Sequence, residues 1–251
     1  MNVIIFDTET TDINKCFCYN IGYVIADIEN DIILCKKDFV VEQIWHNLPL
    51  FSTAYYAEKR PLYVKALKAR KAKLTKYGYA CQEMIRDIKK FNVSCGYAYN
   101  SPFVVKVFNY NCDWFKCSNP LDIIPIFDIM GNVHNSIINK EYFDFCERHE
   151  KFTDSGNYTT NAETVYQYIT NDIDFIEDHT ALSDSIIEYE ILKETIENGK
   201  TELSKEYERK RVFKREIETS FTVKDKNNNI VFSTTCKGYT NYKKKNLIKL
   251  K

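Results

Sequence analysis

The chain lacks any uninterrupted apolar stretch near the ~18 residues that a membrane-spanning helix needs, so no segment of it reads as a membrane partner. It also lacks a Cys-x-x-Cys pair: Cys16, Cys18, Cys35, Cys81, Cys95, Cys112, Cys117, Cys146 and Cys236 are spaced unlike the ligands of a zinc framework. Nor does it carry net charge. With 35 basic and 35 acidic side chains, any nucleic-acid binding must come from local basic patches rather than from the overall field. The odd cysteine count and the absence of an apolar leader read as a cytoplasmic protein with reduced thiols, most of them filling the core.

What is present is a chain of 251 residues with 44% hydrophobic content, enough for one large domain or a medium one with an appendage. The apolar run Val3-Ile4-Ile5-Phe6 reads as a first strand. The β-rich runs 19–27 and 32–41 follow it around a polar turn at 28–31, giving three consecutive antiparallel strands. From Glu42 to Lys76 the pattern is helical, interrupted at Pro49 and Pro61. This stretch carries Lys65, Lys68, Arg70, Lys71, Lys73 and Lys76, read either as a solvated helix or as an arm over a nucleic-acid groove.

Met84, Ile85, Ile88 and Phe91 recur at helical spacing, 94–99 has short β character, and 103–115 reads as a further helix. Asp122 to Ile129 resembles a strand, with Pro125 placing it at an edge or a strand end. After a polar loop at 151–161, a short helix is expected at 162–171. The clearest helix opens near Thr180 and carries the apolar stripe Leu182, Ile186, Ile187, Ile191 and Leu192 to a stop at Asn198-Gly199. Strands in series followed by alternating helices and strands indicate a mixed α/β sheet.

Residues 199–251 differ in composition and read as an appendage to a domain spanning 1–198. The charged stretch 201–218 is an exposed helix or a linker, 221–234 is a hairpin around Asn227-Asn228-Asn229, and Lys243, Lys244, Lys245, Lys249 and Lys251 form a basic tail.

The chemistry concentrates at the end of the first strand. Asp7 and Glu9 are two residues apart, so they project from one face, a costly arrangement of like charges unless a cation lies between them. Asp184, one turn into the late helix, and His179 before it complete a set suited to phosphodiester hydrolysis. Three carboxylates can hold a divalent ion, and a histidine can take the proton of an attacking water.

These residues resemble the motifs of a DEDDh-type 3′→5′ exonuclease of the DnaQ-like, ribonuclease H-like superfamily. Asp7 and Glu9 match the first motif; His179 and Asp184, five residues apart, match the third, together with Ala181. Tyr99-Asn100-Ser101-Pro102-Phe103 resembles the second, but the position of its catalytic aspartate is taken by Val104. Asp113 lies too far on to replace it, and Asp128 resembles an acid of mainly structural role.

The resemblance covers residues 1 to about 195. It implies a ribonuclease H-like three-layer α/β fold, a mixed five-stranded sheet with flanking helices, extended here by a small C-terminal helix and β-hairpin. It also implies Mg²⁺ or Mn²⁺ in a two-metal site whose second position is weakened by Val104. His179 is then the general base, and Asp7, Glu9 and Asp184 are the metal ligands. The implied substrate is the 3′ end of single-stranded DNA or RNA, with Thr8, Thr10, Asn100 and Phe103 as candidate contacts.

Tyr99 and Phe103 would either stack on a base or belong to the core. A second reading is an inactive exonuclease-fold protein that binds nucleic-acid ends, a DNA polymerase or another replication protein. A third is a non-nuclease holding a structural ion at Asp7 and Glu9. The Lys, Ile, Asn and Tyr bias fits an AT-rich source such as a phage.

Overall fold

The computed structural model describes residues 1–197, 200–210, 213–224 and 230–239. Its centre is β1 (Asn2–Thr10), where Val3 to Phe6 are fully buried because both faces of the strand are covered. β1 pairs antiparallel with β2 (Cys18–Asp27), which pairs antiparallel with β3 (Ile32–Val41). On its other side β1 runs parallel to β5 (Cys95–Ala98), which runs parallel to β6 (Ile126–Asp128).

The sheet has six strands, the expected five and β4 (Lys73–Thr75), in the order β4-β3-β2-β1-β5-β6. β4 falls inside the stretch expected to be helical. Arg70, in the left-handed conformation at φ 56°, turns the chain back, and residues 73–75 pair with the open edge of β3 at Phe39–Val41. Pro49 and Pro61 sit in the first turns of α2 (Leu48–Phe51) and α3 (Arg60–Lys68), where a missing N–H costs nothing; α1 (Glu42–Trp45) precedes them. The basic run is therefore split between α3, a turn and β4, with every one of its side chains exposed.

Strand alternation divides the core into two clusters. Ile4 and Phe6 pack with α1 to α3, with α4 (Tyr77–Lys90) and with α5 (Ser101–Phe115). Val3 and Ile5 pack on the other side with α6 (Ile129–Ser136), α7 (Lys140–Arg148), α8 (Ala162–Thr170) and α9 (Ala181–Glu197). This is the three-layer α/β arrangement, a mixed sheet flanked by helices, that the sequence implies.

Two expectations need correction. The run 122–129 is not one strand: residues 120–123 form a short 3₁₀ turn, only 126–128 pair, and Ile129 already begins α6. The cause is local, because the Asp128 carboxylate accepts from Gly131 N at 3.0 Å and caps that helix.

The charged stretch after residue 200 forms no helix among its described residues. Its polar groups find partners on the body instead: Ser204 N donates to Tyr97 Oη at 2.8 Å, Asn135 Nδ2 to Glu208 O at 2.9 Å and Lys210 N to His134 Nδ1 at 3.1 Å. Beyond it, β7 (Glu216–Lys224) and β8 (Ile230–Tyr239) form the expected hairpin. Asn198-Gly199, the Asn227-Asn228-Asn229 turn and the basic tail lie outside the described residues. Among the described residues no helix is long and apolar enough to cross a membrane.

Candidate active site

The site forms where α9 meets the end of β1, and a glycine makes the meeting possible. Gly22 on β2 is the register partner of Asp7, and a Cβ there would stand 2.0 Å from Leu182 N. Lacking one, the sheet lets the first turn of α9 rest directly on its backbone. Ser185 Oγ donates to Gly22 O at 3.1 Å, and Ala181 N donates to Asn20 Oδ1 at 2.8 Å. Asn20 is itself fixed by donating to Asp38 at 2.6 Å and to Phe39 O at 3.0 Å. Asp184 N closes the turn onto Thr180 O at 2.9 Å, as expected for Thr180 at the helix start.

The outcome is that Asp7, Glu9 and Asp184, up to 177 residues apart, offer oxygens all within 4.8 Å of one another. Burial pushes the Asp7 carboxyl up to about 7. Burial and then the charge of Asp7 push Glu9 and Asp184 well above the usual carboxylate range. Tyr19 Oη donates to Glu9 at 3.4 Å, whereas Asp184 Oδ1 is buried without a hydrogen-bond partner. Three converging carboxylates with an orphaned oxygen fit a hard divalent cation, whose charge would reverse each of these shifts.

His179 stands beside this cluster, in a second group with Glu163 and Glu177. Its backbone is left-handed at φ 51°, its ring stacks on Tyr56 at 4.1 Å between centroids, and its Nδ1 lies 3.6 Å from Glu177. Tyr63 Oη donates to its carbonyl at 3.3 Å. Burial, then Lys59, hold the imidazole below its ordinary value, which keeps it neutral and able to accept a proton. Burial, then Glu163 and Asp7, push Glu177 up to about 7.

Thr8 and Thr10 line an open groove of about 530 Å³ that also takes in Glu9, Tyr55, Tyr56 and Phe103. Tyr55, 84% exposed, presents its ring there, packed at right angles to Tyr56 with 4.8 Å between centroids. Tyr99 belongs to the core: it is buried, and its hydroxyl donates to Thr160 O at 2.5 Å. Asn100, left-handed at φ 62°, has its Oδ1 engaged by Arg209 Nη1 at 2.9 Å. Arg209 also grips Asp128 with two nitrogens, and Asp128 accepts from Ser101 N at 2.9 Å.

Val104 is 2% exposed and packs in the apolar cluster with Phe6 and Phe108. The structure does bring in one acid that sequence reasoning missed. Glu188, one turn beyond Asp184, is buried, accepts from Tyr99 N at 3.1 Å and is pushed well up by burial and then by Asp7. Its signal was the i, i+4 spacing from Asp184, hidden because Ile187 and Ile191 on either side of it read as the apolar stripe.

No protein-family model matches the chain, and no curated protein matches it either. Among solved structures, E. coli Exonuclease I in complex with a dA16 oligonucleotide is similar at a TM-score of 0.44 and 14% identity. The alignment covers 76% of this chain and 40% of that one, so this chain corresponds to less than half of that protein.

Proposed function

We propose that the protein is a metal-dependent 3′→5′ exonuclease acting on the 3′ end of single-stranded DNA or RNA. The observation that carries this is the convergence of Asp7, Glu9 and Asp184 with an unpartnered buried oxygen on Asp184. Mg²⁺ or Mn²⁺ held by these three carboxylates would supply Lewis-acid stabilisation of the charge that builds on the scissile phosphate.

The remaining work falls to side chains of the chain itself. His179 takes the proton of the attacking water; Glu177 beside Nδ1 and Tyr56 against the ring fix the imidazole, leaving Nε2 as the acceptor. Tyr55 and Phe103 stack on the terminal bases, and Thr8 and Thr10 contact the terminal nucleotide. Glu188, buried one turn beyond Asp184, would offset part of the loss at Val104 once a bound cation favours its ionised form. A second metal would still be held more weakly than in a site with all four carboxylates.

The burial of Val104 in the apolar core favours a second reading, an exonuclease-fold protein that binds ends or a replication partner without cutting. A 5′-labelled single-stranded oligonucleotide incubated with Mg²⁺ or Mn²⁺ separates the two. Stepwise shortening from the 3′ end supports the exonuclease; retained binding with no shortening in either metal supports the end-binder. The Lys, Ile, Asn and Tyr bias supports assigning such an activity to phage replication or nucleic-acid degradation in a host cytoplasm.

A further inference from the structure

Outside the acidic site the structure gathers three thiols that the sequence spacing does not announce. Cys81 on α4, Cys112 near the end of α5 and Cys117 just beyond it offer sulfurs all within 4.8 Å of one another. Two features of the backbone build this cluster. Lys116 adopts the left-handed conformation at φ 52°, which folds the chain back so that Cys117 N donates to Cys112 O at 3.1 Å. Gly78, one turn before Cys81 on α4, leaves room for Cys117, whose Cβ would stand 3.3 Å from a Cβ at that position.

A separate observation points to a ligand. The Tyr77 hydroxyl is buried with no hydrogen-bond partner, and Tyr77 is fully buried next to these thiols. Burial, then the neighbouring Cys81, Cys18 and Cys112, oppose its ionisation, so the phenol stays neutral.

From this geometry we infer that Cys81, Cys112 and Cys117 form a thiolate site for one zinc ion that staples the end of α5 to α4. Two thiolates on one zinc at about 2.3 Å each stand about 3.8 Å apart, within the span seen here. Sulfur ligands select zinc over the Mg²⁺ or Mn²⁺ suited to carboxylates, so this site is chemically distinct from the acidic one. Cys117 is half-buried, so the fourth ligand position opens toward solvent on its side, where a water completes the tetrahedron. Among the described residues no fourth Cys, His, Asp or Glu joins the group.

The full chain purified without chelator, measured by elemental analysis and then exchanged with Cd²⁺, tests the site. The expected result is about one zinc per chain and a cadmium–thiolate charge-transfer band that falls by about a third in Cys117→Ser, one thiolate of three, and is unchanged in the control Cys146→Ser. Carboxylates give no such band, so the acidic site cannot mimic it. Cys117→Ser is chosen because that side chain is the least buried of the three; if it unfolds, protection of the wild-type thiols from alkylation by added Zn²⁺ is the substitute readout. Absence of both zinc and the cadmium band overturns the proposal. So does a native mass two hydrogens short with a Cys112–Cys117 disulfide in the freshly purified protein.

Discussion

The structure holds carboxylates at the same end of two strands in the sheet, and the two are treated in opposite ways. Asp128, closing β6, is 3% exposed and fully satisfied: Arg209 grips both of its oxygens, and Ser101 N and Gly131 N donate to them. Asp7 and Glu9, closing β1, meet Asp184 with no cation near them among the described residues, and one oxygen of Asp184 has no partner at all. A buried acid with a full complement of donors is part of the architecture. A cluster of converging acids with an unpartnered oxygen is held in that state by the fold around it, and this sets it apart from a structural ion pair.

The largest expected effect breaks the acidic end at its support. Gly22→Ala places a methyl group where Leu182 N and Ala181 C already lie, so α9 must lift from the sheet. A loss of about 3–5 kcal/mol in urea denaturation is expected, as for strong overpacking at backbone, together with loss of any stabilisation by added Mn²⁺. A normal melting curve that still shifts with Mn²⁺ would show that α9 does not rest on Gly22 as described.

Asp184→Asn acts on the site and spares its support. Metal-dependent exonuclease turnover should fall by more than about 100-fold, since even outer-shell partners of a metal cost 10–100-fold. Without added metal the same variant should melt higher than the parent, because it removes one of three mutually repelling acids. Arg209→Ala sharpens the contrast from the other side. Removing the cation leaves Asp128 buried and unpaired, at a cost of about 2–3 kcal/mol once the partial exposure of the arginine is allowed for. Opposite signs for these two changes in ion-free melting are the comparison in its simplest form.

Much of this contrast could be read before the structure. The alternation of Val3 to Glu9 placed two acids on one face of a strand, and the helix at 181–197 placed Asp184 one turn inside its start. What the sequence could not carry were contacts decided by distant backbone. Nothing local to Gly22 says that a helix 160 residues later will rest on it. Arg209 sits in a stretch whose charge density read as a free helix or linker, because partners such as Asp128 and Asn100 are 81 and 109 residues away. The three thiols were likewise dispersed by spacings of 31 and 5 and met only through the packing of α4 on α5.

The smallest effect concerns pH, and it separates the two ends by sign. Asp7 and Glu177 are each raised to about 7 from ordinary carboxylate values, so the folded protein binds protons there that the unfolded chain has already released. Without metal, this end favours folding least above pH 7 and gains stability as pH falls from about 7 toward 4. His134 lies against the segment 200–210, a strap that carries Arg209, and accepts from Lys210 N; burial, then Arg209, lower it to about 4. Its contribution is complete above its unfolded value of 6.5 and is lost as pH falls through 4, so acid loosens the strap while it relieves the acidic cluster. Proteolysis of residues 200–210 should therefore quicken between pH 6.5 and 4.5, under conditions where metal-free melting of the body rises. His134→Gln should flatten the first trend and leave the second, and Mn²⁺ should flatten the second and leave the first. A single pH slope shared by both readouts would mean that the two ends titrate as one unit.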